Sequence, residues 1–345
     1  MVSTPLLELS PCVMVIGPTA SGKSDCAHQL IEKLREFHIR ASCVNLDPFQ
    51  IYQELDKGTS KPSVPELNRY DYHLIDYVGP LDSMDAVQMV VEARRVCAQL
   101  WDRGIVPVVV GGSGLYVSSF LGRMDPLPSR CQELRDWFRL CAQEWGWPHL
   151  HDWLKALDPQ RALQVHPNDG VRIERALECW WLTGKQAHEY QQGGPFGDRL
   201  IDSCYLIKLD ASSDILKNRI TQRTCGYLNS GWVQEVRDLS QKWGEKWTLS
   251  QSFRSIGYES ILNHILKQDL QSIPEPPSSS SFGDDHPLVQ QISTSTWQYA
   301  RRQNTWFAKV PAHLNLGWLE ATLFQRGRFL EPVLEWVQTR RLSFE

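Results

Sequence analysis

The sequence lacks the long apolar runs and the strong net charge that would each mark a particular class of protein. No apolar run in the 345 residues approaches the roughly 18 residues of a membrane span, so no membrane crossing is expected. No Lys or Arg precedes Lys23, so a secretory signal is not expected. We therefore expect a cytoplasmic location. The net charge of -4 gives no global attraction to nucleic acid and leaves only local basic clusters to bind phosphates.

The cysteines form no recognisable framework. There are nine of them, an odd number, and no two are spaced as C-x-x-C. Scattered, unpaired cysteines are typical of reduced thiols in a cytosolic protein. A zinc site is therefore not predicted.

Short β-rich apolar runs predict the fold class. They lie at 12–16, 42–46, 74–78, 105–110 and 204–209, and helix-length stretches separate most of them. This alternation is typical of a parallel sheet in an α/β protein. We expect a P-loop-type parallel sheet flanked by helices, with a mostly helical insertion.

Composition divides the chain further. Residues 1–123 and 201–345 are predicted to form the catalytic core, and 124–200, rich in Trp, Leu, Arg and Glu, a helical insertion between the fourth and fifth predicted strands. Within the core, residues 272–290 are predicted to form a flexible loop, because Ser, Pro and acidic residues there show no core-forming pattern.

The stretch GPTASGKS, residues 17–24, matches G-x-x-x-x-G-K-[ST] between a predicted strand and a helical pattern. Backbone N–H groups of such a loop form an anion cradle, Lys23 adds a charge, and the Ser24 hydroxyl can ligate Mg²⁺. The candidate diphosphate-binding residues are Gly17, Thr19, Ala20, Ser21, Gly22, Lys23 and Ser24. The motif predicts a diphosphate or triphosphate ligand but not the reaction, since kinases, GTPases and diphosphate-releasing transferases share it.

Polar residues also follow two other predicted strands. Asp47 and Gln50 come after the second run, where strand ends meet the ligand crevice of an α/β sheet. A carboxylate there can accept a proton, and a Gln amide can pair with an adenine edge. Ser113, in GGSGLY after the fourth run, offers a hydroxyl to a phosphate.

Together these motifs resemble the bacterial type of tRNA dimethylallyltransferases, also called tRNA isopentenyltransferases. The chain shows, in order, GPTASGKS from Gly17, DPFQIY from Asp47, GTSKP from Gly58, HLID from His73, GGSGLY from Gly111, RITQR from Arg219, GWVQEV from Gly231, SIGY from Ser255 and YARRQNTWF from Tyr299. The matches span roughly residues 12 to 307. Such a series of motifs is far more specific than the glycine-rich loop alone.

The resemblance implies transfer of the dimethylallyl group of dimethylallyl diphosphate to the N6 amine of the tRNA adenosine adjacent to the anticodon on its 3′ side. It implies that Asp47 is the general base and that Lys23, Arg223 and Ser113 stabilise the departing diphosphate. Arg219, four residues before Arg223 and on the same helix face, is implied beside it, with Mg²⁺ at Ser24. The implied tRNA contacts are Gln50, Lys61, Arg172, Arg175, Arg301, Arg302 and Gln303.

Three alternatives remain open at this point. A P-loop kinase of small molecules shares the first motif, and an adenylate isopentenyltransferase acting on free nucleotide shares the core motifs. A non-catalytic tRNA-binding relative is the third, because Pro48 stands where the family usually has Ser. The partners expected are tRNA and dimethylallyl diphosphate, with no membrane and a monomeric chain.

Overall fold

The computed structural model describes residues 10–122, 128, 130–190, 203–270, 282–310, 312–317 and 331–342. They belong to two compact units, one formed by residues 123–197 and the other by the rest of the chain. Among the described residues, no helix combines the length and the apolar character that a bilayer crossing requires.

The larger unit is built on a five-stranded parallel sheet. Its strands are β1 (Cys12–Ile16), β2 (Ala41–Asn45), β3 (Val106–Gly111), β4 (Cys204–Asp210) and β5 (Leu314–Gly317). Their spatial order is β2-β3-β1-β4-β5, so β1 lies in the middle. Helices cover such a sheet on both faces, which is why β1, β2 and β3 are buried along their whole length. Chain order reverses across β1, and ligands bind at the carboxyl ends of strands at such a point.

The first half of the larger unit contributes α1 (Lys23–Glu36), α2 (Val64–Arg69), α3 (Ala86–Asp102) and α4 (Gly114–Leu121). Apolar residues of α1 recur every three or four positions, from Cys26 to Leu34, and pack into the sheet core. A capping box between Asp85 and Gln88 begins α3. Both α1 and α3 pack against β2 and β3 of the sheet.

The described residues of the smaller unit, 128 and 130–190, are mostly helical. They form α5 (Gln132–Trp145), α6 (Trp147–Leu157), α7 (Pro159–Ala162), α8 (Gly170–Thr183) and a 3-10 turn at Ala187–Tyr190. Phe138, Leu150, Leu154, Ile173 and Leu177 form a buried core of its own. This unit lies between β3 and β4 in the chain.

The second half of the larger unit follows β4 and is mostly helical. It contains α9 (Ser213–Asn229), α10 (Trp232–Trp243), α11 (Glu245–Thr248), a 3-10 turn at Ser252–Arg254, α12 (Tyr258–Leu270), α13 (Pro287–Phe307) and α14 (Glu331–Leu342). The two long helices α9 and α13 pack against each other. They bring the RITQR and YARRQNTWF motifs to the same end of the sheet.

Two sequence predictions are wrong in detail. Residues 74–78 form no strand, because Leu74 and Asp76 adopt positive φ values of 62° and 52°, which break an extended chain; only isolated bridges at His73 and Val78 remain. The insertion therefore follows the third strand of the sheet and not the fourth. The loop predicted over 272–290 is helical from Pro287, where a proline at the first turn is favoured. Residues 271–281 lie outside the described part of the chain.

Candidate active site

The glycine-rich loop leaves β1 and enters α1 through a conformation that requires glycine. A Cβ at Gly17 would lie 2.8 Å from the carbonyl oxygen of Leu209. Gly22 precedes α1 with φ 89°, a region in which an L side chain is strained. The tight turn leaves the N–H groups at the start of α1 available to an anion.

Three cations, Lys23, Arg219 and Arg223, meet at this loop. Lys23 Nζ donates to the carbonyl oxygen of Pro18 at 2.7 Å, and Arg223 Nη2 donates to the Thr19 hydroxyl at 2.8 Å. Burial lowers the pKa of Lys23 to about 8, Asp47 opposes the shift, and the two arginines add to it. Repulsion among close cations is expected where a strongly negative group is to be bound.

Asp47 follows β2, and its carboxylate holds the turn that comes next. Oδ1 accepts the N–H groups of Phe49 at 2.9 Å and of Gln50 at 3.3 Å, and the Asp47 N–H donates to Asn45 Oδ1 at 2.9 Å. Pro48 lies inside this turn. None of these bonds needs an N–H at position 48, so a proline there is compatible with this placement of the carboxylate.

The protonation of Asp47 is set by opposing influences. Burial raises the pKa of its carboxyl, while the hydrogen bonds from Phe49 and Gln50 and the charges of Lys23 and Arg223 oppose the rise. A carboxylate with a raised pKa is a stronger base than one in water. Its position among cations keeps it available in the ionised form.

These groups line a single cavity of about 600 Å³, within the range of small-molecule sites. Its wall includes Thr19, Gly22, Lys23, Ser24, Asp47, Gln50, Gly112, Arg219, Arg223, Tyr227 and Tyr299. A second cavity of about 300 Å³ shares Thr19, Asp47, Arg223 and Tyr299 with the first. All of these residues belong to the larger unit, so the loop, the cations and the carboxylate that the sequence predicted meet in one place.

Gln303 has a different environment from the one expected of a tRNA contact. Its side chain is buried, Oε1 accepts the Thr19 N–H at 2.8 Å, and Nε2 donates to the Gly112 carbonyl at 2.5 Å. Gln303 therefore ties the glycine-rich loop to the end of β3. Its neighbours Arg301 and Arg302 are exposed, and the Arg302 guanidinium lies 6.0 Å from the centre of the Tyr299 ring.

Gln50 and Lys61 also have partners within the chain. Gln50 Nε2 donates to the carbonyls of Thr59 and Ser60 at 3.1 and 3.0 Å, so its N–H groups are engaged by the neighbouring loop. The Lys61 ammonium is buried and pairs with Asp56 and Asp76. Both side chains line the cavity wall, and their described polar contacts are to groups of the protein itself.

Ser113 lies just beyond the strand end that lines the cavity. The wall from β3 runs over Val110, Gly111 and Gly112, and Ser113 is the N-cap residue of α4 directly after them. Burial raises the pKa of Tyr299, and the neighbouring Ser113 hydroxyl opposes the rise. The predicted contact of Ser113 with phosphate stays a prediction.

In the helical unit, the arginines predicted to contact tRNA differ in exposure. Arg175 donates to Glu178 and to the Pro128 carbonyl, and Arg135 forms a two-bond pair with the same buried carboxylate. Arg172 is exposed and lies 3.3 Å from Asp169. The ion pairs of Arg135 and Arg175 hold the unit together, whereas Arg172 is accessible.

Two aromatic residues and a histidine in the cavity wall were not predicted. Tyr72 Oη lies 2.7 Å from His28 Nε2, and both line the cavity. His28 follows Ser24 by four residues on α1, and Tyr227 follows Arg223 by four on α9. Residues four apart share a helix face, so extending each motif by one turn would have found His28 and Tyr227.

Comparison with known proteins gives a consistent set of relatives. Residues 50–310 match the family model described as IPP transferase. A tRNA dimethylallyltransferase of Geobacter sulfurreducens is 35% identical over 308 residues, which cover 89% of this chain and 91% of that one. The crystal structure of a tRNA isopentenylpyrophosphate transferase from Staphylococcus epidermidis is 26% identical and superposes with a TM-score of 0.60, covering 96% of this chain and all of that one.

A third likeness concerns the fold alone. A eukaryotic dimethylallyltransferase acting on tRNA shares 20% identity, with a TM-score of 0.72 over 92% of this chain and 77% of that one. The parallel sheet with its flanking helices is thus an architecture that solved enzymes also have.

Proposed function

The chain belongs to the IPP transferase family, and from this premise we propose that it transfers the dimethylallyl group of dimethylallyl diphosphate to the N6 amine of a tRNA adenosine. It is an enzyme, a prenyltransferase acting on tRNA. The acceptor that we propose is the adenosine adjacent to the anticodon on its 3′ side, and the second product is diphosphate.

One observation supports this reaction more than any other. A buried carboxylate, Asp47, and the cations of Lys23, Arg219 and Arg223 line the same cavity. A kinase of small molecules can use cations and a carboxylate base as well, so the family of the chain selects prenyl transfer between the two reactions. The two cavities together offer room for a diphosphate at the loop and an acceptor base at Asp47.

The chemistry follows from these positions. The N6 nitrogen attacks C1 of the dimethylallyl group, a C–N bond forms, and the C–O bond to diphosphate breaks with its electron pair leaving on oxygen. The loop N–H groups, Lys23 and Arg223 stabilise that developing charge. The N6 proton passes to the Asp47 carboxylate. Oδ1 already accepts the N–H groups of Phe49 and Gln50, so Oδ2 is the oxygen that takes the proton.

Mg²⁺ is also part of the proposal. Magnesium binds through one or two protein oxygens together with substrate phosphates. Ser24, at the first turn of α1 and in the cavity wall, fits that requirement with its hydroxyl. When bound, the ion would neutralise charge on the departing diphosphate.

The proposed tRNA contacts are fewer than those suggested by the sequence. Arg301, Arg302 and Arg172 are exposed and are retained, whereas Gln303, Lys61 and Arg175 have partners inside the protein. We also propose that the enzyme acts as a monomer in the cytoplasm; the described residues of both cavities form a complete wall without a second chain.

The test is direct measurement of prenyl transfer. Purified protein is incubated with Mg²⁺, radiolabelled dimethylallyl diphosphate and unmodified tRNA, and the RNA is digested to nucleosides. We expect label in isopentenyladenosine next to the anticodon. A matched tRNA with guanosine at that position should accept no label.

Free AMP serves as the second acceptor in the same experiment. Label in AMP alone would assign the chain to transfer on free nucleotides. Absence of label from both acceptors would contradict a prenyltransferase function and favour a binding role.

A further inference from the structure

Three sequence motifs that the reaction does not use directly meet on one side of the site. They are the loop 56–61, which contains the first four residues of GTSKP, the start of α10 with GWVQEV, and the SIGY segment that leads into α12. The indole of Trp232 lies between Gly58 and Gly257, where a Cβ would come within 2.4 and 2.2 Å of the ring. The ring of Tyr258 packs edge-on against the same indole at 5.7 Å.

Glu235, one turn after Trp232 on α10, connects these elements by hydrogen bonds. Its Oε2 accepts the backbone N–H groups of Asp56 at 3.1 Å and Lys57 at 2.8 Å. Its Oε1 accepts the hydroxyl of Tyr258, a fully buried residue, at 2.7 Å. Glu235 thus joins the start of the loop 56–61 to the buried Tyr258 at the beginning of α12.

The other end of the loop lies in the site. The carbonyls of Thr59 and Ser60 accept both bonds from Gln50 Nε2, and the Gln50 N–H donates to Asp47 Oδ1. Thr59 and Ser60 also form part of the wall of both cavities. A continuous series of contacts therefore runs from Glu235 through the loop backbone to the proposed base.

We propose that Glu235 is a positioning residue that fixes the acceptor side of the site, through the loop 56–61 and Gln50, without touching either substrate. This inference rests on the proposed function, because it assigns the Asp47 and Gln50 side to the adenosine. The groups assigned to the diphosphate, Lys23 and Arg223, hydrogen-bond the glycine-rich loop.

The inference predicts a separation of kinetic effects. In Glu235→Ala the loop N–H groups lose their acceptor, so we expect kcat/KM for tRNA to fall by about tenfold or more. The KM for dimethylallyl diphosphate should stay within about twofold. Glu235→Gln should recover most of the activity, because an amide oxygen still accepts the loop N–H groups and the Tyr258 hydroxyl can accept from the amide.

The matched control is Asp238→Asn, an exposed acid one turn further along α10 that should behave as the wild type. Gly58→Ala tests the same contact from the loop side, since its Cβ would push the loop off Trp232. Gly58→Ala should also lower kcat/KM for tRNA and leave the KM for dimethylallyl diphosphate unchanged. In the double variant, the effects of Gly58→Ala and Glu235→Ala should combine less than additively. Hydrogen exchange of the 56–60 amides should accelerate in both variants.

The outcomes distinguish this inference from the proposed function. A wild type that prenylates no tRNA contradicts the proposed function and the inference together. An active wild type, with Glu235→Ala and Gly58→Ala both matching Asp238→Asn, overturns the inference alone. If both variants lose kcat to the same extent while the KM values for tRNA and for dimethylallyl diphosphate stay unchanged, the loss indicates a smaller folded fraction and also overturns the inference.

Discussion

Replacement of Gln303 by methionine separates the two roles that sequence and structure give to this residue. Methionine has a similar length but can neither accept the Thr19 N–H nor donate to the Gly112 carbonyl. If Gln303 holds the glycine-rich loop, the loss should appear in stability and in diphosphate binding. If Gln303 contacts RNA, the loss should appear in tRNA affinity.

The magnitude follows from the two hydrogen bonds. Gln303 is only 5% exposed, so both backbone groups lose their partner in a largely dry environment. Each buried, unsatisfied group costs about 1–3 kcal/mol. Because the groups face a cavity that water can enter, we expect the lower part of the sum, a decrease of about 2–3 kcal/mol in the free energy of unfolding.

Urea unfolding and steady-state kinetics together provide the assay. The control is Gln298→Met, an exposed position on the same helix that should change neither quantity. In Gln303→Met we expect KM for dimethylallyl diphosphate to rise by about tenfold and the Kd for tRNA to change by less than about threefold. A Gln303→Met protein as stable as the control, with normal KM for dimethylallyl diphosphate but much weaker tRNA binding, would refute the structural role.

Four further predictions follow from the site and from the helical unit. Asp47→Ala should slow single-turnover transfer by on the order of a hundredfold to ten-thousandfold, with tRNA affinity by gel shift changed less than about threefold. Lys23 has a pKa of about 8, so its ammonium is charged below pH 8 and neutral above it. The KM for dimethylallyl diphosphate should therefore rise by up to about tenfold per pH unit above pH 8, and Lys23→Arg should flatten this pH profile. Pro48→Ser should leave the transfer rate within about threefold, since the bonds to Asp47 need no donor at that position. Burial raises the pKa of Glu178, but the hydrogen bonds from Arg135, the Cys131 N–H and Arg175 outweigh this effect and hold the pKa at about 2. The stability that the ionised carboxylate provides is therefore fully present above pH 4.5, the ordinary pKa of Glu, and is lost as the pH falls toward 2. Glu178→Gln should therefore lower the urea midpoint at pH 7 more than at pH 3.

Local sequence patterns predicted most of the sheet. Four of the five apolar runs coincide with β1, β2, β3 and β4, because strands buried on both faces are continuous apolar segments. The run at 74–78 has the same composition but two residues at positive φ, a backbone feature that composition does not encode. The short strand β5 was missed, since four residues carry too little pattern to detect.

In the site, the motifs identified the residues but not all of their contacts. Lys23, Asp47 and Arg223 meet as expected, because each lies at a strand end or on a helix that packs there. Sequence could not show that Gln303 reaches the glycine-rich loop, a contact between residues 284 positions apart. Such a contact depends on the packing of α13 against α9, which only the folded chain defines.

In its proposed role at the diphosphate, the cluster of Lys23, Arg219 and Arg223 also has a consequence for the end of the catalytic cycle. Groups that favour departure of diphosphate continue to attract it after the bond has broken, since its charge is then at its greatest. Release of this product is thus expected to be slow, and free inorganic diphosphate should compete with the prenyl donor for the same cavity. The rate of tRNA modification would then depend on how quickly other enzymes remove diphosphate from the surroundings.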